Sequence, residues 1–311
     1  MSFELTILGC NSAIPTNHRK PTAQLLNVAE RFFLIDCGEG TQLQLRKYKI
    51  KMQSIQHIFI SHLHGDHYFG LIGFISTMHL LGREKELHIY APKELKEIIY
   101  IQLAASKTEL RFPLFFHEFS FDEPELLMES NNLFVHTIPL SHSLPCCGFL
   151  FKEKKKSRRM KKEKIEEYNI PLEAIAAIKR GEDYCLSDGT KVPHLELTRG
   201  AQKSRSFAFC SDTSYYEKII PQIKGVDMLY HEATFLDELK ERARQTMHST
   251  AKEAATIASK AQVGKLIIGH YSQRYFDLNP LLDEAQAIFP KTYLAKEGER
   301  FELKREYDSD S

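Results

Sequence analysis

Short apolar, β-branched runs recur along this chain and are separated by polar turns and by longer stretches of helical periodicity. Runs at residues 3–8, 23–28, 31–35, 55–61, 87–90, 133–140, 148–151, 207–210, 228–230 and 265–269 read as buried strands. Helical spacing predicts helices over 42–48, 71–81, 93–104, 236–244 and 251–261, the last opened by Thr250-Ala251-Lys252-Glu253, which has the form of a capping box. Thr41 is placed to cap the first, and Gly264 closes the last. Strands alternating with helices predict an α/β fold.

Chemistry-bearing residues follow the strands. His62, His142, Asp212, His231 and His270 each come directly after a predicted strand. In layered α/β folds ligands gather at the carboxyl ends of strands. Asp36 also stands at a strand end, where it could be a ligand or an acid behind the ligands, but a cap or turn role is the expectation because the cavity is already filled by others. The densest cluster is His62-Leu63-His64-Gly65-Asp66-His67. Two residues apart in an extended segment, His62 and His64 point the same way. Gly65 lets the backbone turn sharply and bring Asp66 and His67 back to the same cavity. Imidazole and carboxylate suit zinc and other borderline divalent ions. This H-x-H-x-D-H run resembles the signature of the metallo-β-lactamase superfamily, which implies a metal-hydrolase fold.

The ligand count points to two metals. His62, His64 and His142 are expected to hold one, Asp66, His67 and His270 the other, with Asp212 bridging them; seven ligands are too many for one tetrahedral ion. Two cations sharing a water would bring its pKa to about 7 and supply hydroxide at neutral pH. Asp66 could also accept that proton. His248, which is not needed as a ligand, is expected to be the general acid, with Glu232 orienting it and keeping it charged. His79, His88 and His117 lack ligand-type neighbours and read as structural.

Composition adds one feature. The 311 residues carry a net charge of only +1, yet residues 152–164 hold nine basic and two acidic residues, so the remainder is about −6. Residues 165–200 show little regular patterning. The segment 152–200 therefore reads as a basic arm inserted in a single domain, 1–311, and suited to a polyanion. Six scattered cysteines without a C-x-x-C, no signal-peptide pattern and no apolar run of membrane-spanning length point to free thiols in a reducing cytoplasm.

The set His62-Leu-His-Gly-Asp-His67, Ser141-His142, Ser211-Asp212-Thr213, His231-Glu-Ala-Thr234, His248-Ser-Thr250 and Gly269-His270 resembles ribonuclease Z, the tRNA 3′-processing endonuclease family, in its short form. The resemblance covers nearly the whole chain. It implies a four-layered αββα sandwich with an inserted flexible arm, two Zn²⁺ per subunit (or Mn²⁺), and removal of 3′ trailers from precursor tRNA by hydroxide attack, leaving a 3′-hydroxyl. It also implies a homodimer in which one subunit's arm, gripping the tRNA elbow, serves the other. The chain lacks the family's Gly-Pro pair after Asn169-Ile170-Pro171, and Arg19 is followed by Lys20 where that family often has Asn. Two other readings compete. A small-molecule phosphodiesterase or other hydrolase of the same fold explains the metals but not the basic arm. A non-catalytic RNA-binding scaffold requires a lost ligand, and all seven are present.

Overall fold

The apolar runs pair into two seven-stranded sheets in a computed structural model that describes residues 2–308. The first sheet runs Arg300–Glu302, Phe3–Gly9, Ala23–Val28, Arg31–Ile35, Ile55–Phe59, Leu87–Tyr90, Leu114–His117. The second runs Thr292–Leu294, Leu266–Gly269, Met228–Glu232, Ser206–Cys210, Cys147–Glu153, Leu133–Pro139, Leu126–Glu129. Alternation decides the layers. Phe33 and Phe59 face inward and meet Phe149 and Phe151 of the opposite sheet at ring separations of 5.3–5.7 Å. Their neighbours Leu34, Ile58 and Ile60 face outward and pack under the helices Thr41–Lys47, Leu71–Leu80 and Glu94–Ala105. Helices Ala251–Ala261 and Asn279–Gln286 cover the second sheet, which completes an αββα sandwich.

Most predicted elements are present, with informative differences at their ends. Thr41 is the first helical residue rather than the cap, a place taken by Gly40, and its hydroxyl donates back to the Gly38 carbonyl. The capping box at Thr250 and Glu253 is formed on both sides. Helix Ala251–Ala261 is closed by Gln262 in a left-handed conformation, not by Gly264. The edge strands Leu114–His117, Leu126–Glu129, Thr292–Leu294 and Arg300–Glu302 are short and partly exposed, and so carry little apolar signal.

The arm differs most from expectation. Strand Cys147–Glu153 runs on past Lys152, and the chain rejoins the sheet at Ser206. Between them lie helices Lys162–Glu167, Leu172–Arg180 and His194–Leu197 and two small antiparallel ladders. Ile170, Ile178, Val192 and Leu197 form a small buried cluster there, separate from the main core. Charged residues dilute the apolar ones, so the pattern is faint in sequence although the segment closes on itself.

Candidate metal centre

Strand direction places the site. The strands ending at Ile35, Phe59, Pro139, Cys210, Glu232 and Gly269 all deliver their next residues to one end of the sandwich. After Phe59 the chain runs extended through His62 and His64 and then turns into the short helix Gly65–Tyr68, which carries Asp66 and His67. This turn packs tightly on the loop after Ile35: a side chain at Gly38 would collide with the Asp66 carbonyl, at 2.4 Å. His270 leaves its strand with a positive φ of 59°, which swings the imidazole off the sheet line and into the cluster.

All seven expected ligands converge. His62, His64, His142 and Asp212 form one group whose ligand-type atoms lie within 4.8 Å of one another, and Asp66, His67 and His270 form another. His64 presents Nδ1, 2.9 Å from His62 Nε2 and 3.1 Å from His142 Nε2. Asp212 sits between the groups. Its Oδ2 is 3.9 Å from His62, 3.8 Å from His142 and 3.5 Å from His67, and its Oδ1 is 3.1 Å from His270. Asp66 Oδ2 lies 3.5 Å from His67 and 3.4 Å from His270, and accepts from the Ala13 amide at 2.7 Å.

The rear nitrogen is held in four of the five imidazoles. His62 Nδ1 bonds Ser61 Oγ at 3.0 Å, and that hydroxyl donates to Asp36. His67 Nδ1 donates to Asp36 Oδ2 at 2.7 Å. His142 Nδ1 donates to the Met247 carbonyl at 2.9 Å. His270 Nδ1 bonds Thr234 Oγ1 at 3.1 Å, and Thr234 donates to Glu232 at 2.6 Å. Holding Nδ1 of these four rings turns Nε2 toward the cluster as the atom a metal would take, the arrangement that metal-binding imidazoles need; His64 faces it through Nδ1 instead. Asp36 is therefore a buried orienting acid rather than a turn residue. A strand-end position was its only signal in sequence, because its partners lie 25 and 31 residues away.

Charge explains why a cation fits. Four carboxylates, Asp36, Asp66, Asp212 and Glu232, gather where little water reaches. Burial opposes ionisation of Asp212, but His270 and His67 hold it well below the usual carboxylate range. Asp66 is likewise depressed against burial, chiefly by His67 and His270. Burial alone would deprotonate His67, yet Asp212, Asp66 and Asp36 push it well above its ordinary value. Its Nε2 is buried with no hydrogen-bond partner and faces two carboxylates. Buried charges persist only when paired or bound to metal, so the donor set suits one or more divalent cations. His62 and His64 are held neutral, the first by burial and His67, the second by burial and His142, and neutral imidazole is the ligating form.

Glu232 is fully engaged. Its Oε1 accepts from the Thr213 amide and His248 Nδ1, both at 2.8 Å, and its Oε2 accepts from Thr234 Oγ1 and the Ser249 amide. Burial would lower the His248 pKa, but Glu232 and, more weakly, Asp212 raise it to about 9. His248 shares an open cavity of about 370 Å³ with Ser12, Pro15, Glu39, Asp66, Phe69, Asp212 and His270. His231 does not reach it. Its ring is buried on the other side of the strand and bonds the Glu232 carbonyl at 2.7 Å. The structure brings four of the five strand-end residues, His62, His142, Asp212 and His270, into the cluster; successive side chains alternate faces, so with Glu232 turned toward the site, His231 points away. His88 and His117 lie in a ring stack on the first sheet, bonded to each other at 2.9 Å.

An αββα sandwich with a histidine–aspartate cluster across one end of both sheets defines a metallo-β-lactamase fold. The family described as Anti-Pycsar protein Apyc1 matches residues 3–169, a span that holds the H-x-H-x-D-H turn and His142 but not Asp212, Glu232, His248 or His270. Over almost the whole chain, the protein is 48% identical to a ribonuclease Z of Bacteroides thetaiotaomicron, across 95% of this chain and 93% of that one. It is 51% identical to a ribonuclease Z of Cytophaga hutchinsonii, across 97% and 96%. The crystal structure of the short form of human tRNase Z superposes with a TM-score of 0.71 at 27% identity, covering 96% of this chain and 98% of that one. The chain belongs to the ribonuclease Z family.

Proposed function

We propose that this protein is the endoribonuclease that removes 3′ trailers from precursor tRNA, and that the cluster described above is its active site. The observation that carries this reading is the pairing of a complete seven-residue donor set with family relatives aligned over about 95% of the chain. His62, His64 and His142 would hold one cation and Asp66, His67 and His270 a second, with Asp212 shared between them. Zn²⁺ or Mn²⁺ bound there would lower the pKa of water and stabilise negative charge on the phosphate oxygens.

The chain's own groups do the rest. Asp66, fixed by the Ala13 amide, faces the cavity where water would be deprotonated. Water adds at phosphorus, and the bond to the 3′-oxygen of the tRNA breaks. That oxygen takes a proton from His248, which is charged near neutrality and has its Nδ1 held by Glu232. The products are a tRNA ending in a 3′-hydroxyl and a trailer with a 5′-phosphate. Residues 152–200 would supply the tRNA grip: their positive charge stands away from the metal cluster and suits phosphate. A homodimer, with one subunit's arm serving the other, would present that grip to a substrate much longer than the cavity. The six cysteines are all free, five of them buried, which supports a cytoplasmic setting. Among the described residues no helix is long and apolar enough to cross a membrane.

The test is incubation with a precursor tRNA that carries a 3′ trailer, followed by mapping of the cut and both ends. Cleavage at the trailer junction with a 3′-hydroxyl on the tRNA is expected. Hydrolysis confined to small phosphodiesters would favour the small-molecule reading.

A further inference from the structure

The C-terminal segment has a place that its sequence does not suggest. A polar tail after Arg305 is expected to fray, and residues 309–311 lie outside the described part of the chain. Residues 303–308, however, are bonded in. The last strand, Arg300–Glu302, belongs to the first sheet, and the Leu303 amide donates to Phe3 there. The Leu303 carbonyl then accepts from Arg205, which also makes a buried ion pair with Glu153. Glu153 and Arg205 stand where the arm leaves and rejoins the second sheet.

Beyond that point the tail pairs with the returning limb of the arm. The Lys203 amide donates to the Glu306 carbonyl at 3.0 Å, and the Asp308 amide donates to the Ala201 carbonyl at 2.9 Å. Gln202 and Tyr307 form an antiparallel bridge. A side chain at Gly200 would meet the Asp308 carbonyl at 1.9 Å, so glycine is what permits this approach. The outgoing limb is held by the same residue, because the Arg159 guanidinium sits over the Tyr307 ring at 4.0 Å. Arg159 is in turn paired with Arg199 across the ladder at the arm's base.

We propose that residues 304–308 form a clasp across the root of the arm, and that Tyr307 is a positioning residue that sets the arm's direction for its RNA partner. The inference rests on the reading of the arm as the tRNA grip. Both limbs of the arm root meet Tyr307 or its neighbours, and the clasp is anchored to the opposite sheet, so it ties the arm to both layers of the sandwich. The root is also remote from chemistry. From Ser206 to Cys210 the strand climbs roughly 13 Å at its usual rise per residue before reaching Asp212, which puts the clasp at the far end of the sheet from the metal cluster.

The experiment compares Tyr307→Ala and Tyr307→Phe in the full-length protein. In Tyr307→Ala, backbone hydrogen exchange at 158–161 and 198–203 should quicken in the free protein. KM for precursor tRNA should rise by roughly 2- to 5-fold, as loss of one exposed cation–π contact allows. Turnover at saturation and hydrolysis of a small chromogenic phosphodiester should be unchanged. Tyr307→Phe keeps the ring and should behave as wild type on every measure. Unaltered exchange at the arm root with a raised KM would make Tyr307 an RNA contact and overturn the clasp. Quickened exchange with KM unchanged would show that the clasp does not position the arm. Failure of the wild type itself to cut precursor tRNA would instead count against the function on which the inference rests.

Discussion

Glu232 shows how much of the site's chemistry is settled by the groups behind it. It accepts from two backbone amides, a threonine and an imidazole, so its ionised form is stabilised despite complete burial; burial opposes the charge, and His248 is the largest influence favouring it. With both oxygens occupied, Glu232 is poorly placed to bind a metal, although its distance from Asp212, His248 and His270 would allow it. In the proposed mechanism it holds His248 charged and aimed. His248→Ala is therefore expected to keep its metal content and its tRNA affinity while turnover falls roughly 10²–10⁴-fold. Asp66→Ala should be at least as slow and should also hold metal more loosely. An RNA analogue with sulfur at the leaving position separates the two, since a thiolate departs without a proton. His248→Ala should recover much of its rate on that analogue and Asp66→Ala should not; equal impairment of His248→Ala on both substrates would leave it only a structural partner of Glu232. Residues of this kind were legible in sequence where the signal is local, as in the six-residue turn from His62 to His67. Asp36, Thr234 and the Met247 carbonyl were not, because an orienting partner needs only to be near in space.

Legibility at the level of elements follows burial. Strands such as Phe3–Gly9 and Ser206–Cys210, buried nearly throughout, stand out as apolar runs. The helix Ala251–Ala261 could be read from its cap as well as its face, and Thr250→Ala should lower stability by about 1 kcal/mol in denaturant unfolding. A change well under that would mean that Glu253 and tertiary packing hold the helix end without the threonine. The arm hides its order because its helices are short and mostly exposed, and its apolar cluster is small. Its surface ion pairs, such as Lys164 with Glu167 and Arg199 with Glu163, contribute little to stability in water, so this cluster and the root contacts are what organise it. Deleting residues 155–199, which leaves the strand Cys147–Glu153 and its ion pair with Arg205 in place, should abolish cleavage of precursor tRNA and spare hydrolysis of a small chromogenic phosphodiester. Comparable loss on both substrates would mean that the arm supports the fold of the active site, contrary to its separate core.

Across the whole molecule, the proposed ligand set straddles the two sheets. His62, His64, Asp66 and His67 come from the first, and His142, Asp212 and His270 from the second. Each proposed cation therefore bonds residues of both layers, and metal binding becomes part of what holds the sandwich closed at that end. Two consequences can be measured. Elemental analysis of purified protein should approach two divalent ions per subunit, and full activity with one stably bound ion would sink the dinuclear assignment. Stability should also depend on the ions, because a ligand that binds only the folded chain stabilises it by mass action, by about 4 kcal/mol at a thousandfold excess over its dissociation constant. Stripping the protein with a chelator should lower its thermal midpoint, and adding back Zn²⁺ should restore it. In Asp212→Ala, which removes the carboxylate shared by both groups, the midpoint with and without Zn²⁺ should nearly coincide. A midpoint indifferent to chelation in the wild type would show that the sheets close through the aromatic core alone, with the cluster merely assembled at its rim.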